Sequence, residues 1–164
     1  MLRTSGKRIT KRIPRQCRVN MISELSQFED LKGLLFGELL GVGVHRKVGV
    51  FLPDPTLVIK CVIETPNINV LEDEMWLMIK DTKLAKWFAP CVSISDCGMF
   101  LLQKRVQRLP KEQYPKLIPS FFGDLKYSNF GWLDGHFVCC DYASFMCTSM
   151  VHKWNEKLTK ADWW

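Results

Sequence analysis

The 164-residue chain is 47% hydrophobic and 24% charged, which suits one domain or a compact pair of lobes and excludes disorder along most of its length. No run approaches about 18 consecutive apolar residues, so a transmembrane helix is excluded. The basic N-terminus leads into no apolar signal core, so secretion is not expected. The net charge of +6 is concentrated in residues 1–18, which hold seven Lys or Arg and no acid; 16 basic and 17 acidic residues remain beyond them. Such a tail suits nucleic acid or an acidic protein surface, or serves as a solvated arm. The remainder lacks the positive excess of a nucleic-acid reader. Seven cysteines include no C-x-x-C pair, which argues against a structural zinc site and for reduced thiols packed as small hydrophobes in a cytoplasmic protein.

In chain order, Ser26-Gln27-Phe28-Glu29 has capping-box spacing, and Leu25, Phe28, Leu31 and Leu35 recur near helical period, predicting a short helix before Gly37. After Leu39 the β-branched runs 40–44, 48–51 and 57–63, broken by Pro53-Asp54-Pro55, predict three short antiparallel strands. A helix opens at Thr65-Pro66-Asn67 with Leu71, Met75 and Met78 as its apolar stripe, widened by Trp76 and Ile79, and runs to near Pro90. Residues 91–94 and 99–106 flank Ser95-Asp96-Cys97-Gly98 as a hairpin. Three prolines between 107 and 123 limit any helix there to a short one. Asp134-Gly135 joins Phe130–Leu133 and His136–Cys140 in a second hairpin. Met150, Val151, Trp154 and Leu158 predict one amphipathic closing helix, with Trp163-Trp164 docking the C-terminus onto the domain.

Gly41-x-Gly43 fits a tight turn between strands. It is followed by valines and prolines rather than a helix, which excludes a dinucleotide-binding loop, and no G-x-x-x-x-G-K-[ST] occurs. Lys60 stands at the end of a β-branched run, where its ammonium can reach phosphate oxygens. Glu72 on the next helix can hold it, with Glu74 as a fallback. Downstream, Asp124-Leu125-Lys126-Tyr127-Ser128-Asn129 places a carboxylate five residues before an amide. Asp141-Tyr142-Ala143 follows twelve residues after Asn129, beyond the D-G hairpin. His45, His136 and His152 have no partners at metal-ligand spacing.

The ordered set of glycine loop, strand lysine, helix glutamate, D-x-K-x-x-N and D-Y-A, over about residues 38–143, resembles the protein-kinase signature. It is most similar to the short kinase-like proteins encoded by tailed bacteriophages. The resemblance implies an α+β, two-lobed fold: a basic tail (1–18), a lobe of antiparallel sheet with one packed helix (19–106), and a reduced lobe bearing the catalytic loop (107–164). It implies ATP and Mg²⁺ as cofactors. Gly41 and Gly43 would admit phosphates to backbone N–H groups, and Lys60, oriented by Glu72, would pair with the α/β-phosphates. Asp124 would accept the acceptor proton, Lys126 would neutralise the transferring group, and Asn129 and Asp141 would hold the metal. Backbone groups of Gln103 to Arg105 would meet the adenine.

The sequence also departs from that signature. Arg46 replaces the third glycine, Phe122-Gly123 stands where His-Arg is usual, and Tyr142-Ala143 replaces Phe-Gly. The 23 residues after Asp141 leave no room for a full activation segment or a peptide-docking platform. Three functions follow in order: an ATP/Mg-dependent phosphotransferase; a pseudokinase-like module that binds, and in a phage inhibits, a host protein; and a nucleic-acid-associated protein acting through residues 1–18. A nucleotide and a protein partner or substrate are the expected ligands, with no membrane, in the cytoplasm (the host's for a phage protein). Lys60 is expected to be exposed, so that its loss spares the fold.

Overall fold

The computed structural model describes residues 31, 33–63, 67–143, 154 and 156–164. The basic tail, the capping box at 26–29, Met150, Val151 and His152 lie outside the described residues. The chain divides into two compact units, 1–34 and 35–164. In the first, residues 31, 33 and 34 are helical. The second is α+β, and its main element is a five-stranded antiparallel sheet.

Strands β1 (Phe36–Val42), β2 (Arg46–Phe51) and β3 (Leu57–Val62) form a meander. Then come helix α1 (Asn67–Ile79) and the hairpin of β4 (Cys91–Ile94) and β5 (Phe100–Lys104), giving the order β1-β2-β3-β5-β4. Gly98 turns the β4–β5 hairpin at φ 69°. Val48 faces Lys60 across β2–β3, Gly41 faces Val48 across β1–β2, and Gln103 faces Val58 across β3–β5. Directly opposed residues project to the same side, and the side alternates along each strand. Gly41, Arg46, Val48, Val58, Lys60 and Gln103 therefore share one face of the sheet.

Helix α1 differs from its sequence pattern in length and in facing. It stops at Ile79, and a 3₁₀ helix, Lys83–Trp87, follows. Thr82 explains the break: its hydroxyl donates to Ile79 O (2.8 Å) and accepts from Leu84 N (3.1 Å), replacing the bonds that would continue an α-helix. The buried residues are Asn69, Glu72, Met75 and Ile79, whereas Met78 is 40% exposed. The helix is turned to deliver two polar side chains inward, and hydrophobic periodicity cannot register that choice.

Below the sheet, the chain forms short pieces: β6 (Leu117–Pro119), the hairpin β7 (Phe130–Leu133) with β8 (His136–Cys139), and β9 (Leu158–Lys160), which pairs with β6. Asp134 (φ 47°) and Gly135 (φ 81°) take the two left-handed positions that a two-residue hairpin turn demands. Leu158 thus lies in a strand and not in the expected closing helix. The extended path gives β6 a hydrogen-bonding partner and carries Trp163 into the aromatic core, where its Nε1 donates to Pro115 O (2.8 Å). That core runs from Met75 and Ile79 through Phe88, Tyr114, Phe122 and Phe130 to Phe137 and Tyr142. Phe88 is central, within 5.2 Å of Tyr142 and 5.3 Å of Phe122 between ring centroids. Among the described residues no helix is long and apolar enough to cross a membrane.

Gly131 on β7 is a packing requirement. A Cβ there would lie 2.6 Å from Val106 Cγ2 and 2.7 Å from Gln107 O, and the latter is backbone that cannot swing aside. Gly131→Ala is expected to destabilise the fold by about 1–3 kcal/mol, read from the shift of the urea unfolding midpoint.

Candidate functional site

The shared face of the sheet roofs a cleft of about 940 Å³. Its far wall is the segment from Lys104 to Arg108 together with Ser128, Asn129, Cys140 and Asp141. Leu40, Val42, Val48 and Val58 supply apolar lining at the roof. Five cations line the cleft (Arg46, Lys60, Lys104, Arg105, Arg108) against two carboxylates (Asp134, Asp141), so its field favours an anionic ligand.

Gly41 and Gly43 close the roof where β1 turns into β2, with Gly43 N donating to Arg46 O (2.9 Å). A Cβ on Gly41 would meet nothing within 4 Å, and one on Gly43 only Arg46 O at 3.7 Å. The protein's own packing does not require glycine at either position, and the space beside them opens into the cleft.

Lys60 occupies the fourth position of six in β3, not the strand end, and is only 3% exposed. Its Nζ donates to Glu72 Oε1 (2.6 Å) and to Cys140 O (2.6 Å). The expectation of an exposed lysine is therefore corrected: the face that alternation assigns to it is the covered one. Glu72 is fully buried. Gln103 Nε2 also donates to its Oε1 (3.1 Å), and its Oε2 is ion-paired with Arg46. Glu74, the fallback partner, is exposed.

Arg46 is the residue that sequence reasoning undervalued. It lies on β2 rather than in the turn and is 6% exposed. Nη1 donates to Asn69 Oδ1 (3.2 Å), and Nη2 donates to Asp141 Oδ1 (2.7 Å). Burial is the largest single influence on the guanidinium and opposes its charge. Glu72 and Asp141 together outweigh it and raise its pKa above the ordinary value. A sequence signal existed: Arg46, Val48 and Val50 alternate on one side of β2. Only the strand register, however, aligns that side with Lys60.

Asn129 O accepts from Cys140 N (2.7 Å), which sets the D-x-K-x-x-N segment beside Asp141. Asn129 Nδ2 donates to Asp124 Oδ2 (2.9 Å), and Arg108 Nη1 pins the same loop through Ser128 O (2.5 Å) and Phe130 O (2.8 Å). Gly41, Gly43, Lys60, Asn129 and Asp141 thus line one cleft, with Glu72 directly behind Lys60. Asp124 and Lys126 do not line it; Lys126 Nζ sits 4.4 Å from the Trp164 ring centroid. Gln103 to Arg105, the segment expected to meet the adenine, line the cleft. The Lys104 and Arg105 amides already donate to Pro90 O (2.9 Å) and Thr56 O (2.8 Å), and Gln103 turns its side chain inward. Val106 also lines the cleft, and among the described residues its amide has no backbone partner.

The oxygen donors expected to hold a metal are engaged with protein groups in this structure. Asp141 Oδ1 is held by a guanidinium, Asn129 Oδ1 accepts from Ser128 Oγ (3.3 Å), and among the described residues no three His, Cys, Asp or Glu converge.

No protein-family model matches the chain, and no curated protein matches it either. The functional reading therefore rests on the residues themselves.

Lys60→Met leaves Glu72 short of one of its two cations in a dry site, and an expected loss of about 3–5 kcal/mol follows, measurable by urea unfolding. Glu72→Ala leaves Lys60 without a carboxylate and Arg46 with Asp141 alone, and is expected to cost more. Behind the network, Tyr142 donates to Ala89 O (2.8 Å) and touches Cys91 Sγ (3.1 Å). Burial first, and then Glu72, push the Cys91 thiol from its ordinary 9.0 up to about 12. Burial likewise raises Tyr142 and Cys139 well above their usual values. Each group keeps its proton in the fold at a pH where the unfolded chain releases it. Stability is therefore intact below pH 9 and falls above it, by about 1.4 kcal/mol per pH unit for one such group. Melting curves between pH 8 and pH 11 are expected to drop, and Cys91→Ala to flatten the slope.

Proposed function

We propose that this chain is a protein-kinase-like nucleotide-binding module that takes ATP in the cleft. The observation carrying this reading is the convergence on one cavity of an apolar roof, two glycines with open space beside them, and a lysine held by a buried glutamate. A flat heterocycle suits the apolar lining at Val48 and Val58, in a cleft that Val106 also lines. A polyphosphate suits the end where Lys60 and Arg46 present N–H groups and no side chain at 41 or 43 obstructs the backbone.

Transfer of the terminal phosphoryl group, with Asp124 and Lys126 as catalytic residues and Mg²⁺ at Asn129 and Asp141, is the second reading. The Asp124–Asn129 hydrogen bond favours it, because that bond joins the two ends of the D-x-K-x-x-N segment. It also requires Asp141 to part from Arg46 and Lys126 from Trp164. The geometry supports binding more directly than transfer.

ATP is expected to raise the melting temperature of the full chain in proportion to the logarithm of its concentration. Gly41→Ala is expected to keep stability within about 0.5 kcal/mol while weakening ATP by about 1 kcal/mol, several-fold in Kd. No shift at millimolar ATP overturns the binding reading. Transfer of labelled phosphate that is lost in Asp124→Asn, with ATP affinity kept, would promote the second reading over the first.

A further inference from the structure

Arg46 is a cation built into the place where a nucleotide-binding cleft would otherwise need one. Its guanidinium has five N–H donors, and the contacts with Asn69, Glu72 and Asp141 use at most three of them. Lys60 Nζ has three, of which Glu72 and Cys140 O use two. Both side chains line the cleft, and both are held by one carboxylate, Lys60 on Oε1 of Glu72 and Arg46 on Oε2. Neither can be withdrawn from the cavity without leaving that buried charge short of one of its two cations. Asp141 is different: its side chain is 50% exposed, so it can move away from Arg46 into water.

We propose that the cleft recognises the triphosphate of a nucleotide without a divalent cation, with Arg46 and Lys60 supplying the positive charge and Asp141 acting as the counter-ion that an incoming phosphate displaces. The inference rests on the nucleotide-binding reading and deepens it by naming the metal-free polyanion as the ligand species. Two fixed cations with spare donors form an anion site, because the phosphates exchange water for charge-assisted hydrogen bonds at groups already oriented. The carboxylate of Asp141 keeps the site near neutrality while it is empty. In a metal-dependent cleft that aspartate is essential; in this cleft it competes with the ligand.

The two roles predict opposite signs for one substitution. Calorimetric titration of the full chain with ATP is run in excess EDTA and again in millimolar Mg²⁺. ADP, AMP, adenosine and inorganic tripolyphosphate follow as probes of which part is bound. The wild type is expected to bind ATP in EDTA within about threefold of its affinity with Mg²⁺, with affinity falling as phosphates are removed. Asp141→Asn is expected to keep binding in EDTA and tighten it by about three- to tenfold, since the competing carboxylate charge is gone. Arg46→Gln is expected to weaken metal-free binding, and its effect on folding is controlled by the double variant with Asp141→Asn, which removes one of the charges left unpaired. Binding seen only with Mg²⁺ and abolished by Asp141→Asn overturns this inference while leaving the nucleotide reading standing. Absence of ATP binding in both conditions overturns the two together.

Discussion

The carboxylate of Glu72 organises this molecule more than any other single group. A carboxylate is buried at a large desolvation cost, and that cost is offset only where cations and hydrogen-bond donors surround it. Here Lys60 approaches from β3, Arg46 from β2 and Gln103 from β5, so the helix that carries Glu72 is tied to three adjacent strands at one point. Through Arg46 and Lys60 the same charge reaches Asp141 and Cys140 O, which belong to the segment leaving β8. The network therefore also ties the sheet to the elements beneath it.

The cleft is a consequence of that arrangement. Side chains that would otherwise fill the space under the sheet are drawn inward to the glutamate, and the glycines at 41 and 43 leave the outer part open. What remains is a cavity with an apolar roof and an inner end where Arg46 and Lys60 are held by Glu72 and Asp141. Its floor is held independently by Arg108, whose guanidinium spans two carbonyls of the Ser128–Phe130 loop, and by the Asp124–Asn129 hydrogen bond. A site whose walls are fixed from both sides loses little conformational freedom on binding, which favours recognition by pre-organised charge.

The lower half obtains its rigidity differently. It has little regular secondary structure, and its strands are three or four residues long. Aromatic contacts hold it: Phe88, Phe121 and Trp154 stack, and Tyr114, Phe130, Phe137 and Trp163 meet edge to face or in parallel. Large rings bury much area per residue, so a short and irregular chain can still enclose a core.

How much of this was legible beforehand divides along one line. Local signals placed the five strands of the main sheet, the β7–β8 hairpin and its D-G turn, though not β6 or β9, because β-branched runs and left-handed turn residues act over a few neighbours. Gly41, Gly43, Lys60, Asn129 and Asp141, which line the cleft, were nameable from the order of their motifs, whereas Arg108 was not. The length of α1 was misjudged because a single threonine hydroxyl, at Thr82, outcompetes the helix. Its facing was misjudged because Asn69 and Glu72 are polar residues made interior by partners distant in sequence. The closing segment was misjudged because its strand exists only where β6 is already present. Arg46 read as an irregular glycine-loop residue; its alternation with Val48 and Val50 hints at a shared side, but only the strand register shows that this side is the one that holds Lys60. Chain chemistry by itself determined which segments alternate, turn and coil. Tertiary structure alone decided which charges are buried, since burial of an ion depends on whether distant strands in register bring it a partner.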